Sequence, residues 1–361
     1  MRILDRYVIK SFITTLLFSF VALYTIFLIV DMIENLEEFL DNGMGILKIA
    51  EYYFYFFPEI LKLLVPVAML LSTLFTVGRL SGLNEITAIK SGGISLYRFM
   101  APLMILSILI SGVHLYFNGW VVPKANIAKN DIEREYMNKG SSIGSIYDLY
   151  FRESPTANLH MKSYNSSQQK GFNIGLEYFK SVNSPRLDKS IEANSIAWNS
   201  ENENWILREV IVRKFNSKNI ESVTRIDSMS IKLTLTHEKI LDLKRSTDEM
   251  TFDELESYLS LLKNGGKNVD LEMTDYYGQY AFPIANIIVV LFGVPFASVK
   301  KKGGIAVQIG AALVISFLYL IFTKVSQAVV LGTGLNPIIA GWFANGLFFV
   351  VGIINLIKTR T

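Results

Sequence analysis

The order of apolar and polar stretches constrains this chain more than any single motif. Three long apolar runs fill its first third, at 12–30, 57–78 and 99–122, and three more fill its last quarter, at 280–299, 305–323 and 336–357. The polar stretch 124–275 lies between them. About 20 apolar residues, rising 1.5 Å each as a helix, cross the hydrocarbon core of a bilayer. The first run, FITTLLFSFVALYTIFLIV, contains no charge and has no small-residue cleavage signature behind it, so it reads as a span rather than a secretory leader. Six spans are expected, interrupted by one water-facing domain.

Charge in the short loops orients the spans. With six crossings, Arg2, Arg6 and Lys10, then Arg79, Lys90 and Arg98, then Lys300, Lys301 and Lys302, then Lys358 and Arg360 all fall on one side. The opposite side holds Asp31, Glu34, Glu37, Glu38, Asp41 and Glu51 against a single Lys48. The excess of Lys and Arg predicts cytoplasmic termini and an external middle domain.

Only 19% of the 361 residues are charged, against about 25% in a soluble domain. A net charge of +3 is too small and too dispersed for a nucleic-acid partner. The absence of cysteine excludes disulfides, thiol catalysis and thiolate metal sites. His114, His160 and His237 are widely separated and form no ligand-spaced cluster.

From about residue 141 the helical pattern yields to alternating segments rich in β-branched and aromatic residues, at 172–180, 190–198, 205–215 and 228–235. Asn202, Glu203 and Asn204 suit a turn between two of them. An antiparallel sandwich, jelly roll or open barrel follows. Charged helices flank it: 124–139 continues out of the third span, and 251–263 opens with Thr251 three residues before Glu254, a capping box, and stops at Asn264-Gly265-Gly266. Inside the spans, Pro66, Pro102, Pro283 and Pro295 predict kinks, and Gly310, Ala311, Ala312, Gly341, Ala344 and Gly346 predict close helix packing.

GGKN at 265–268 lacks the remaining elements of a phosphate-binding loop, and no nucleophile–base or metalloprotease pattern stands out. ATP hydrolysis is therefore not expected in this chain. The segment GRLSGLNEITAIKSGGISLYR, 78–98, is the most suggestive. Ser81 is positioned to cap a short helix that Gly92-Gly93 ends, with Leu83, Ile86, Thr87 and Ile89 as its apolar aspect and Glu85 and Lys90 as its charges. Such a helix either lies on lipid or docks into a groove on a cytoplasmic partner, where Glu85 would meet a basic residue. Near the outer membrane face, Lys62 and Lys324 either snorkel to the interface or attract an anionic ligand, and Glu59 can pair with Lys62 at i,i+3. His114 is expected to be a helix-packing group.

The opening ILDRYVIKSFI, the 78–98 segment, AFPIANIIVVLFGVPFASVKKKGG at 281–304 and the last span with Trp342 and Asn345 in W-x-x-N together resemble the LptF/LptG family of lipopolysaccharide exporter permeases, most of all its LptG type. The resemblance covers nearly the whole chain, including Trp198 and Trp205 in the β domain. It implies an α-helical integral membrane protein of six transmembrane helices with an inserted periplasmic antiparallel β-jellyroll. On this scheme 1–123 carries spans one to three with a coupling helix near 80–92, 124–275 is the periplasmic domain with its flanking helices, and 276–361 carries spans four to six. The resemblance further implies residence in a bacterial inner membrane and export of lipopolysaccharide to a periplasmic bridge. It implies an LptB-like ATPase dimer, a second LptF/LptG-like permease and an LptC-like protein as partners. No cofactor is implied in this chain, since ATP and Mg act on the ATPase. Glu85, with Arg79, Leu83 and Ile86, resembles the ATPase-coupling site, and Lys62 and Lys324 are the candidate lipid-phosphate contacts. Two departures stand out: the outer end of span one carries Asp31, Glu34, Glu37 and Glu38 where the LptG type often has lysines, and Ala344 stands where many members have proline. The competing class is a non-catalytic scaffolding or assembly protein of another envelope complex, which would not need a charged docking helix.

Overall fold

A computed structural model describes residues 3–137, 145–166, 168–181, 184–215, 220–243, 245–264, 267–299 and 304–359. The basic turn at 300–303, Gly265-Gly266, Arg2 and Arg360 lie outside the described residues. The chain divides into a helical unit, residues 1–139 with 270–361, and a β unit, residues 140–269.

In the helical unit, α1 (Ile3–Glu34) is followed by the short α2 (Leu36–Asp41) and by α3 (Ile46–Gly82). After α4 (Glu85–Ser91), α5 (Leu96–Tyr116) runs through a π turn at Phe117–Val121 into α6 (Val122–Tyr136). One residue, Val122, separates the π turn from Pro123, which has no N–H to give the preceding turn. Beyond the β unit, α9 (Asp270–Ala281), a tight turn at Phe282–Ile284 and α10 (Ala285–Ser298) form one span, followed by α11 (Gly304–Thr333) and α12 (Pro337–Lys358). Six of these helical stretches are long and apolar enough to cross a membrane. The fourth begins at Asp270 rather than near 280, because a polar helical turn precedes its apolar part.

α3 and α10 form the centre, and α1 and α11 are the most exposed spans. Val8 and Phe12 of α1, Met69, Leu70, Leu74 and Val77 of α3, Leu103 of α5, and Val290 and Val294 of α10 share one core. A Cβ on Gly293 would stand 2.8 Å from Thr73 Cγ2, and one on Gly341 2.9 Å from the Gly278 nitrogen, so α10–α3 and α12–α9 are glycine-mediated close approaches. Gly310 and Gly346 have open space instead.

In the β unit, β1 (Ser145–Ser154), β2 (Ala157–Asn165), β3 (Lys170–Ser181), β4 (Ser184–Asn199), β5 (Asn204–Phe215) and β6 (Ile220–Ile231) pair antiparallel in chain order. The registers step over Lys162, Asn173, Asn194, Glu209 and Asp227 at one level across the sheet. Inward side chains on either side of that level are three apart, as Met161 and Tyr164, Ile174 and Gly171, Ala193 and Ile196, and Leu207 and Val210. Asn173 and Glu209 there take positive φ of 51° and 53°. Two outward residues in succession bend each strand in the manner of a bulge, so the sheet creases as a whole. Its outward face carries a trough of about 780 Å³ with Glu177, Glu192, Asn194, Glu209 and Asp227 along it.

The run 228–235 does not continue as strand. β6 ends at Ile231, and Leu233 and Leu235 turn into the core, followed by Ile240 of α7 (His237–Asp242). Trp205 Nε1 donates to the Leu235 carbonyl at 2.8 Å, and the Tyr164 hydroxyl lies 2.6 Å from His237 Nδ1. A strap, 233–243, thus closes part of the apolar face. α8 (Phe252–Asn264) starts with the expected capping box: Thr251 N–H donates to Glu254 Oε2 at 2.8 Å and the Glu254 N–H to Thr251 Oγ1 at 3.5 Å. Partial burial pushes the Glu254 carboxyl up, but the Thr251 hydrogen bonds and Arg245 outweigh it and hold it below the ordinary range.

Two measurements check this packing. Gly293→Ala is expected to lower unfolding stability in detergent by about 1–3 kcal/mol, because its Cβ would overlap the buried Thr73 side chain. Gly346→Ala should leave stability unchanged in the same assay, since nothing stands near that position. Burial also holds the His237 imidazole below its ordinary value. The folded state therefore prefers the neutral ring, and stability present above about pH 6.5 is lost as pH falls below it. The protection factors of amides in 233–243 of the full-length protein, their exchange rates taken relative to the intrinsic rate at each pH, should fall from pH 7.5 to pH 5.5, and His237→Asn should flatten that dependence.

Candidate functional site

At one end of the helical unit α3, α4 and α5 turn beside the start of α1. Asn84 makes the first turn in the left-handed region at φ 59°, which Asn tolerates better than most residues, and Gly93 makes the second at φ 79°. Ser95 caps α5, its hydroxyl accepting the Arg98 N–H at 3.3 Å. Ser81 does not cap α4: it lies inside α3, buried, and donates to the Ser298 carbonyl at 3.0 Å, joining the ends of α3 and α10. Ile86 is 4% exposed and belongs to the helical core, while Leu83 is 59% exposed. Arg79, Thr87 and Ala88 are also exposed. Glu85 is half-buried at the start of α4, with Oε2 accepting the Tyr7 hydroxyl at 3.0 Å. Arg98 Nη2 reaches Asp5 Oδ2 at 2.9 Å. α4 therefore turns Ile86 inward and leaves one side of Glu85 accessible, beside the exposed Arg79 and Leu83 at the end of α3.

The opposite end holds a polar cluster set among aromatic rings. Lys129 of α6, its side chain 10% exposed, lies 3.0 Å from Glu59 Oε2 and 3.6 Å from Glu133 Oε1, and 4.9 Å from the Phe56 ring centre. Tyr52 donates to Glu133 at 3.1 Å and Tyr53 to Asp31 at 3.0 Å. Phe39, Met44, Ile60 and Ile132 pack around them. Glu59 is thus bonded to Lys129, a cation that α6 brings against α3.

Between these ends, four spans are tied at one level. Asn118 of the π turn donates to the Gln279 carbonyl at 2.8 Å, Ser111 to the Pro283 carbonyl at 2.8 Å, and Asn345 to the Ala281 carbonyl. The Tyr319 hydroxyl donates to Asn345 Oδ1 at 2.8 Å. His114 packs here, its Nδ1 3.1 Å from Asn286 Nδ2. Nearby, α3, α10, α11 and α12 enclose an apolar cavity of about 250 Å³ lined by Leu63, Val67, Ile288, Tyr319, Leu320 and Phe348, among others. Lys62 adjoins the lining residue Leu63 in sequence and is half-buried. Lys324 lies one turn beyond Leu320 and is exposed on α11 beside Phe317, Leu320 and Val325.

A six-span helical unit, an inserted antiparallel sheet and a short surface helix joining two spans now stand together. The model of a known family, the lipopolysaccharide export system permease LptF/LptG, matches residues 6–358. The chain belongs to the LptF/LptG permease family. It is similar to the lipopolysaccharide export system permease protein LptG of Escherichia coli (strain K12), with 18% identity over 357 residues, 99% of this chain and 98% of that one. It is also similar to the LptG of Haemophilus influenzae, with 21% identity over 363 residues and the same coverage. As an LptF/LptG permease with six membrane-capable helices, it is a multi-pass inner-membrane protein and a transporter subunit. The family motif W-x-x-N is split by the fold: Asn345 is buried against the broken fourth span, while Trp342 is 39% exposed.

Sequence reasoning missed Tyr7, Asp5, Asn118, Lys129 and the Tyr52–Tyr53 pair. Only Lys129 carried a readable signal, four residues ahead of Glu133 on a charged helix. Lys129→Ala is expected to cost about 2–3 kcal/mol of stability in detergent, because Glu59 and Glu133 lose their shared cation in a largely buried site. Lys48→Ala breaks an exposed pair with Glu51 and should cost under about 0.5 kcal/mol in the same unfolding assay.

Proposed function

We propose that this LptF/LptG-family chain works as the LptG-like permease of an ATP-driven exporter, extracting lipopolysaccharide from the inner membrane and passing it to a periplasmic bridge. The family match supports the transport role, and the α4 surface carries the rest of the reading. An exposed cation, Arg79, and an exposed apolar side chain, Leu83, at the end of α3 stand beside a half-exposed carboxylate, Glu85, on the short helix α4 that Ile86 anchors in the core. That is the composition of a docking surface for an apolar groove with a basic rim. Its partner is an LptB-like ATPase dimer holding ATP and Mg, with Arg79, Leu83 and Glu85 in contact and Ile86 as the anchor. By the excess of Lys and Arg, this end and both termini face the cytoplasm, and the β unit faces the periplasm.

Exposed apolar side chains along α1 (Leu17, Phe18, Val21, Ile26) and α11 (Leu313, Val314, Phe317) offer faces for lipid and for a second LptF/LptG-like permease. Lys62 and Lys324 serve as contacts for lipid phosphate, and an LptC-like protein receives the lipid beyond the membrane. The acidic residues at the end of α1 take no phosphate, and Asp31 is already engaged by Tyr53.

Glu85→Ala tests the coupling. Loss of a charge-assisted contact is expected to weaken ATPase binding by about 10- to 100-fold. Membrane insertion should be unchanged, because the side chain reaches the surface. The measurement is recovery of the ATPase with the tagged permease, together with lipid release from proteoliposomes. Wild-type recovery and release would sink the reading, and purification without any ATPase would favour the scaffold class.

A further inference from the structure

The first two turns of α1 send two polar side chains to two different elements. Asp5, only 8% exposed, holds Arg98 at 2.9 Å on the first turn of α5. Tyr7, two residues on and 47% exposed, gives its hydroxyl to Glu85 at 3.0 Å. Val8 and Phe12 of the same helix share a core with Ile86, Leu96 and Phe99. The start of α1 therefore touches both sides of the α4 turn: its first residue through Tyr7, and the helix that follows it through Asp5.

The Tyr7 ring is too exposed to contribute much packing, so its hydroxyl has a different consequence. A surface glutamate samples many rotamers, and docking has to freeze one of them. Tyr7 occupies Oε2 and leaves Oε1 for a cation, so the carboxylate is set before a partner arrives. The Asp5–Arg98 pair is better shielded on the Asp5 side and makes α5 follow the same end of α1.

We propose that Tyr7 and Asp5 are positioning residues of the coupling surface: Tyr7 presets the Glu85 carboxylate, and both ties make the start of α1 move with α4 when a partner displaces it. This rests on the reading of Glu85 as the docking carboxylate. The helix so driven is α1, whose flank exposes Leu17, Phe18 and Val21 at 60% or more. Displacement of α4 thus reaches the helix with the most open apolar face by a route that does not pass through α3.

The chain has no cysteine, so a spin-label pair at Lys10→Cys and Thr87→Cys reports the α1–α4 distance without background from this subunit. The experiment uses the assembled complex in proteoliposomes, nucleotide-free and ATP-trapped. Without further changes the distance should be the same in both states. With Tyr7→Phe, which removes only the hydroxyl, or with Asp5→Asn, it should shift or broaden on ATP trapping, and lipid moved per ATP hydrolysed should fall three- to tenfold. A constant distance and undiminished lipid per ATP in both variants, beside a defective Glu85→Ala, overturn the positioning role alone. Undiminished docking and transport in Glu85→Ala overturn the docking reading and this inference with it. Tyr7→Phe keeps the ring and the helix, so its result does not depend on the fold surviving the loss of Asp5.

Discussion

In the bilayer core no water meets a backbone group that has lost its helical partner, and an unmet carbonyl there costs several kcal/mol. The fourth span breaks this rule twice within a few residues. Pro283 has no N–H to offer Gln279, and the Ala285 N–H goes to the carbonyls of the tight turn instead of Ala281. The two carbonyls so released are taken by Asn118 and Asn345, from the third and sixth spans. The helical unit is held at this level by the need to satisfy a broken helix. The surrounding close approaches, such as Gly341 against α9, follow from that arrangement.

The polar groups of α1 answer a different demand. Its middle is apolar and widely exposed, so packing alone defines its position weakly. Asp5 and Tyr7 tie one end, and Asp31 ties the other through Tyr53. The acidic end of the first span, which departs from the family pattern, has part of its physical account here. Asp31 belongs to an architectural cluster in which Tyr52, Tyr53 and Lys129 gather three carboxylates, Asp31, Glu59 and Glu133. A lysine at position 31 would place a cation against the Tyr53 hydroxyl, next to a site that already contains Lys129.

Legibility in the sequence followed the range of each interaction. The six spans, the alternating strands and the Thr251–Glu254 capping box depend on residues close together in the chain, and all three are present. The π turn is invisible in FNGWV, because its stabilising contact is 161 residues away at Gln279. The 228–235 segment alternates like a strand throughout, yet its last part leaves the sheet because Leu233 and Leu235 find more burial under Trp205 and Tyr164 than along an edge. Ser81 has the residue type of a cap but sits where α3 has not yet ended; the turn is made by Asn84 through its backbone. Of the residues proposed for coupling, Glu85 stands out in the sequence by its place in an amphipathic segment. Its partner Tyr7 does not, since 78 residues separate them.

The β unit shows how a simple chain-order meander encloses a core. A regular sheet of six strands would present two nearly flat faces, one of which must be covered. Here the aligned double-outward positions crease the sheet, and the strap 233–243 fills what the crease leaves open. Any apolar guest of this interior competes with Leu233, Leu235 and Ile240 for the same side chains of β2 to β5. Two hydrogen bonds oppose that exchange, Trp205 to Leu235 and Tyr164 with His237. Both sit at one end of the core, so the strap resists displacement most strongly there and yields first where only side-chain packing holds it.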